Sequence, residues 1–114
     1  MRAQGGFGLV MTAAAHVERQ GQGFPGQLGI FDDDLHMAGL SRLADAIKAQ
    51  GAVSSVQLHH AGLRSPDDLV DIPLGPSEDP EIRSRALTLA EVEAARDSFI
   101  AAAVRAERAG FDGV

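Results

Sequence analysis

The chain has 114 residues, 45% of them hydrophobic and only 4% aromatic, with no Trp, Tyr or Cys. That composition is globular, and its core must be built mostly from Leu, Val, Ile and Ala. The formal charge of −6 disfavours nucleic acid or an anionic membrane as partner, because both need clustered Lys and Arg. The missing cysteines rule out disulfides, zinc–thiolate sites and a thiol nucleophile, and fit a reducing, cytoplasmic setting. No apolar run approaches the roughly 18 residues that a membrane span requires.

The opening stretch, MRAQGGFGLVMTAAAHV, lacks the long apolar centre of an export signal and is read as leading into a strand. Phe7 to Thr12 is a short continuous apolar run, the pattern of a parallel strand buried on both faces. Residues 18 to 31 carry Gly21, Gly23, Gly26 and Gly29 with Pro25, and are expected to form a long loop. Asp32, Asp33 and Asp34 could suggest a cation site, but a solvated helix start explains them better. Leu40, Leu43, Ala44 and Ile47 then recur at helical spacing up to a terminal Gly51, predicting a helix over 35–49.

Val53 to His59 is the second predicted strand. Residues 62 to 87 hold four of the five prolines and form a second long excursion. At Thr88 a helix begins: Thr88 and Glu91 make a capping box, and Leu87 and Val92 stand where a hydrophobic staple belongs. Its stripe runs through Val92, Ala95, Phe99, Ala102, Ala103, Ala106 and Ala109, and Gly110 ends it. Phe111 to Val114 enters another strand. Strand, helix, strand, helix, strand implies βαβ units on a parallel sheet. So few strands would expose edges and apolar faces, which makes the chain read as a piece of something larger.

The stretch VSSVQLHHAG carries the chemistry. Alternation along a strand puts Val56 and Leu58 on one face and Ser55, Gln57 and His59 on the other. If helices cover the first face, Gln57 points into a cleft at a strand's carboxyl end, where parallel α/β folds bind ligands. Its amide donates and accepts at once, which suits a ring with carbonyl and N–H edges; capping of nearby backbone is the alternative, and the residues alone leave both open. His59 and His60 point to opposite faces, so they do not chelate one ion, and no metal site is assigned. One is expected to face inward and the other to be hydrogen-bonded at the loop start. His16 and His36 are expected at the surface. No Gly-rich phosphate cradle is present.

Taken together, GGFGLVMT, GQGFPGQLGIF, VQLHHAG and LTLAEVEAARDSFIAAAVRAERAGFDGV resemble the Old Yellow Enzyme family of NADH:flavin oxidoreductases over nearly the whole chain. The resemblance implies an α/β fold, a partial (β/α)8 TIM barrel comprising about strands 2 to 4 with the two intervening helices. Residues 1–114 would then be an incomplete segment of one FMN-binding barrel domain. It implies FMN as cofactor, NAD(P)H as reductant and a small-molecule substrate such as an activated alkene. Gln57 matches the residue that hydrogen-bonds the flavin's pyrimidine edge. Ala14 matches a small residue whose backbone lies beside the flavin ring, and Thr12 and His60 match supporting positions.

Departures accompany the match. Ala13 stands where the family often has Glu, and Leu63 where it often has Arg, with Arg64 next to it. The family's strand-four histidine motif and tyrosine acid are absent, so no catalytic residue is assigned. The alternative reading is a non-catalytic remnant, or a fragment that folds only by self-association through open sheet edges or with a complementary chain.

Overall fold

The computed structural model describes residues 1–114. Two helices dominate, α1 over Asp33–Lys48 and α2 over Leu89–Arg108. Asp32 opens α1: its side chain accepts from the Leu35 N–H at 3.0 Å and satisfies one of the donors that a helix start leaves unpaired. Asp33 and Asp34 thus lie inside the helix, two residues earlier than the spacing predicts. The chain turns away from α1 at Gly51, whose φ of +77° an L side chain rarely adopts.

α2 starts as its sequence dictates. The Glu91 N–H donates to the Thr88 hydroxyl at 3.3 Å, and the Thr88 N–H donates back to the Glu91 carboxylate at 2.8 Å. Arg85 adds a two-pronged bond to the same carboxylate, at 2.7 and 3.0 Å. Arg85 first, then Thr88, pull the Glu91 pKa from 4.5 down to about 2. Only the second half of the predicted stripe reaches the core: Ala102, Ala106 and Ala109 are buried and Phe99 packs beside them, while Val92 stays exposed.

The strand predicted over Val53 to His59 is two short ones, and the one predicted over Phe7 to Thr12 is followed by a second short strand that the pattern did not show. β1 (Leu9–Met11) and β2 (Ala15–His16) run parallel to β3 (Val53–Ser55) and β4 (Leu58–His59). The register pairs Met11 with Ser55 but Ala15 with Leu58. Three residues, Thr12 to Ala14, therefore oppose two, Val56 and Gln57, and a bulge results. Hydrogen bonds carry the pairing across it: Thr12 N–H to Ser55 C=O at 2.9 Å and Ala15 N–H to Gln57 C=O at 2.7 Å. On the other side of β3, Gly113 forms a parallel bridge to Ser55, as the predicted third strand requires. Asp112 fastens this junction by accepting from the Ser54 N–H at 2.8 Å and the Ser54 hydroxyl at 3.0 Å. Those two bonds, helped by Lys48, hold its carboxyl below the usual range.

The core lies between this arc of strands and the helices, with Ala15, Val17, Ile30, Leu40, Ala44, Val56 and Ala102 fully or almost fully buried. The opposite face is bare. Leu9, Met11 and Val53 are 54%, 48% and 51% exposed, so the expected burial on both faces of β1 is not met within this chain. Helices cover one side of the arc, and no element here covers the other. The excursion over 62–87 is also more ordered than predicted: β5 (Leu74–Gly75) pairs with β6 (Arg85–Ala86). Leu63, which departs from the family pattern, packs so tightly on Gly75 that the glycine has no room for a Cβ.

Candidate functional site

The carboxyl ends of β2 and β4, with the bulge beneath them, form an open shelf. Val56 is buried and Leu58 packs against the core, so alternation turns Gln57 and His59 to the other side. Gln57 is exposed there. Its backbone N–H reaches the Thr12 hydroxyl at 3.4 Å, and its C=O accepts from Ala15. Its side-chain amide has no partner within the chain, so the backbone-capping alternative is not what the structure shows. In the bulge, Ala13 is exposed and Ala14 half-buried, and each carries only a methyl group, which leaves the backbone approachable by a flat group. The Ala14 C=O accepts from the Gln27 amide at 2.9 Å. A groove of about 540 Å³ beneath the first residues is lined by Val10, Met11, Leu43 and Ile47 and reaches the bulge at Thr12 and Ala13.

Both histidines of the QLHHAG stretch are held. His60 Nε2–H donates to Glu18 Oε1 at 2.7 Å, and His60 Nδ1 accepts from the Gly62 N–H at 2.9 Å. The other Glu18 oxygen accepts from the Ser98 hydroxyl at 3.1 Å, which ties the strand tip to α2. His59 Nδ1 meets the Gln27 amide at 3.0 Å. The expectation of one inward and one bonded histidine is therefore too simple.

His16 is not a surface residue, contrary to the sequence expectation, and His36 is half-buried. His16 is 5% exposed, and its Nδ1–H donates to the Glu18 C=O at 3.0 Å. Its ring lies 4.9 Å from Phe31, which in turn meets His36 edge-on at 4.7 Å. His36 Nε2 is buried without a partner. Burial, then the neighbouring His16, push the His36 pKa down. His36, in the first turn of α1, meets Phe31 of the preceding loop, and Phe31 in turn meets His16 of β2, a contact that a helical wheel cannot show. The aspartate run is also more than a solvated start. Arg105 and Arg108 of α2 donate to the two oxygens of Asp33 at 2.6 and 2.7 Å. The Arg108 bond, then that of Arg105, hold its pKa low.

Sequence reasoning missed Gln27 and Glu18. Each bonds residues distant in the chain, and the one local hint was polar side chains amid glycines in an otherwise loop-like run.

Comparison with known proteins places this geometry. The sequence matches the NADH:flavin oxidoreductase / NADH oxidase family over residues 1–114. It is 47% identical over 114 residues to a probable NADH-dependent flavin oxidoreductase, YqiG, of Bacillus subtilis, covering 95% of this chain and 30% of the relative. The fold superposes on 2-naphthoyl-CoA reductase, solved with 2-naphthoyl-CoA, with a TM-score of 0.91 at 32% identity, over 99% of this chain and 20% of that one. It superposes on an old yellow enzyme homologue of Zymomonas mobilis with a TM-score of 0.87 at 28% identity, over 98% of this chain and 36% of that one. The chain thus spans about a third or less of these proteins, and its α/β arc corresponds to part of their barrels.

Proposed function

The chain belongs to the NADH:flavin oxidoreductase / NADH oxidase family, and from that premise we propose that its 114 residues are a segment of one FMN-binding barrel domain. For the whole barrel the proposed activity is transfer of a hydride from NAD(P)H, by way of FMN, to a small activated alkene, with this segment contributing part of the flavin site. The observation that carries the reading is Gln57: a side-chain amide at a strand's carboxyl end, exposed and without a partner in its own chain. Such an amide can donate to a ring carbonyl and accept from a ring N–H together.

The residues present fit the flavin. Gln57 would hold the pyrimidine edge, and Ala14 would let the flat ring lie against backbone that its methyl group does not screen. The Gln27 bond keeps the Ala14 carbonyl from turning outward. Thr12, bonded to the Ala13 C=O at 2.8 Å, stiffens the bulge beneath them. When bound, FMN supplies the hydride chemistry, and the protein supplies orientation and electrostatics. With no Tyr in the sequence, no residue here is assigned the proton-donating role. No helix is long and apolar enough to cross a membrane; the proposed setting is the cytoplasm, whose reducing conditions suit a cysteine-free chain.

The test is an absorbance spectrum of the chain after incubation with FMN and desalting. Retention of the flavin's visible band is expected, weakened about tenfold in affinity by Gln57→Ala, the scale of one hydrogen bond lost. Equal retention by Gln57→Ala would remove Gln57 from the site. Mixed with NADH and a conjugated enone, the chain is expected to show no turnover.

The exposed Leu9, Met11 and Val53 row favours a second reading, in which the chain folds only by self-association or against a complementary chain. Sedimentation over a range of concentrations decides it: a concentration-independent monomer with a cooperative melt would eliminate that reading.

A further inference from the structure

Gln27 sits in the glycine-rich connection, 7% exposed, with its amide oxygen and both amide hydrogens engaged. Oε1 accepts from the Gly23 N–H at 2.6 Å, and Nε2 donates to the Ala14 C=O at 2.9 Å and meets His59 Nδ1 at 3.0 Å. Two of these partners are backbone groups with only one role each. An N–H must donate and a C=O must accept, so together they decide which end of the amide is nitrogen. With the NH2 group facing His59, Nδ1 has to accept, and the ring proton sits on Nε2. A flipped amide would lose both backbone bonds and leave buried groups unpaired.

His59 Nε2 has no acceptor within the chain, yet it is not sealed away: the buried side-chain atoms without partners are His36 Nε2 and Ser84 Oγ. His59 also lies two residues beyond Gln57, on the same side of the strand. We infer that Gln27 is a positioning residue: it clamps the Ala14 carbonyl at the shelf and locks His59 as the Nε2–H tautomer. The shelf thereby gains a hydrogen-bond donor of fixed direction beside Gln57, suited to a carbonyl or carboxylate oxygen of a bound ligand. The clamp and the tautomer stand on the chain's own bonds; the role toward a ligand rests on the flavin-site reading above.

The experiment is a long-range proton–nitrogen correlation spectrum of the 15N-labelled chain at neutral pH, with His59 identified by loss of its signals in His59→Gln. His59 is expected as a single tautomer, with a protonated Nε2 and an unprotonated, accepting Nδ1. Gln27→Glu keeps the length but offers His59 only acceptors, so the tautomer ratio should shift toward Nδ1–H by about tenfold or more. Merely structural damage would not invert a tautomer while leaving the His60 signals in place. Should Gln27→Glu fail to fold, the wild-type spectrum still decides: averaged His59 nitrogens, or an Nδ1–H ring, overturn the inference. An unchanged tautomer in a folded Gln27→Glu overturns it as well. No flavin is needed for this measurement, so a locked His59 in a chain that retains no FMN would sink the flavin reading and leave the clamp standing.

Discussion

Two long connections leave the strand tips, and they behave differently. The first, residues 17–32, is rich in glycine, yet Val17, Gly21, Gln27, Gly29 and Ile30 are all buried. The second, residues 62–87, holds most of the prolines; it buries Ser65, Val70, Pro73, Gly75 and Ser84, a smaller share of a longer stretch, and leaves Ile72 and Ile82 each 45% exposed. It is moored to the first at two points, where Ser65 Oγ–H donates to the Gln20 C=O at 3.1 Å and Gln20 Nε2–H to the Ile72 C=O at 2.6 Å. Glycine in the first connection works by close approach. A Cβ on Gly21 would lie 2.5 Å from His60 Cδ2, and one on Gly29 would lie 2.7 Å from the His36 ring. In the second, close approach of this kind occurs once, where Leu63 packs on Gly75, and the prolines mainly limit the backbone. A glycine-rich stretch can therefore be the tighter of two loops.

The comparison can be broken at its packed end first. Ile30 is fully buried, and Ile30→Ala is expected to cost about 2–5 kcal/mol in denaturant unfolding, the range for a buried large-to-small change. Next comes Gly21→Ala, for which about 1–3 kcal/mol is expected from overpacking, and His60 must move to admit it. Its proton spectrum should show the His60 ring displaced; an unperturbed ring with full stability would mean that the close approach is not what selects glycine.

A pH series sharpens the same contrast. His36 has a folded pKa below its ordinary 6.5, because of burial and then His16, with Arg19 and Arg105 acting the same way and Asp32 opposing them. The unfolded chain then binds the proton first, so the contribution is full above 6.5 and is lost as pH falls through the lowered value. Melting temperature should decline across that window, and His36→Leu should flatten the decline. Least affected is the outer connection: Ile82→Ser is expected to change stability by no more than about 0.5 kcal/mol, as surface substitutions do. A larger loss there would mean that Ile82 is covered in solution.

Much of this was legible from local pattern. The capping box spans Thr88 to Glu91, so one helical turn contains both partners. The direction of Gln57 followed from alternation, because Val56 and Leu58 declared the apolar side. The bulge was not legible, since a one-residue slip exists only between two strands some forty residues apart and leaves no mark in either alone. Nor were Gln27 to His59, His60 to Glu18 or Ser98 to Glu18, which join residues 32, 42 and 80 positions apart.

The amino-acid order by itself determined the helices, their caps, the parallel βαβ order and the family, because these depend on neighbours within a turn or on motifs that survive as strings. Only the tertiary structure decided that His16 goes inside and the His36 Nε2 is covered, that Asp33 is shared by two arginines, and that Gln27 holds the strand tips. Each of those outcomes depends on which distant group comes to rest beside a polar atom, and hydrogen bonds form at about 3 Å whatever the separation along the chain.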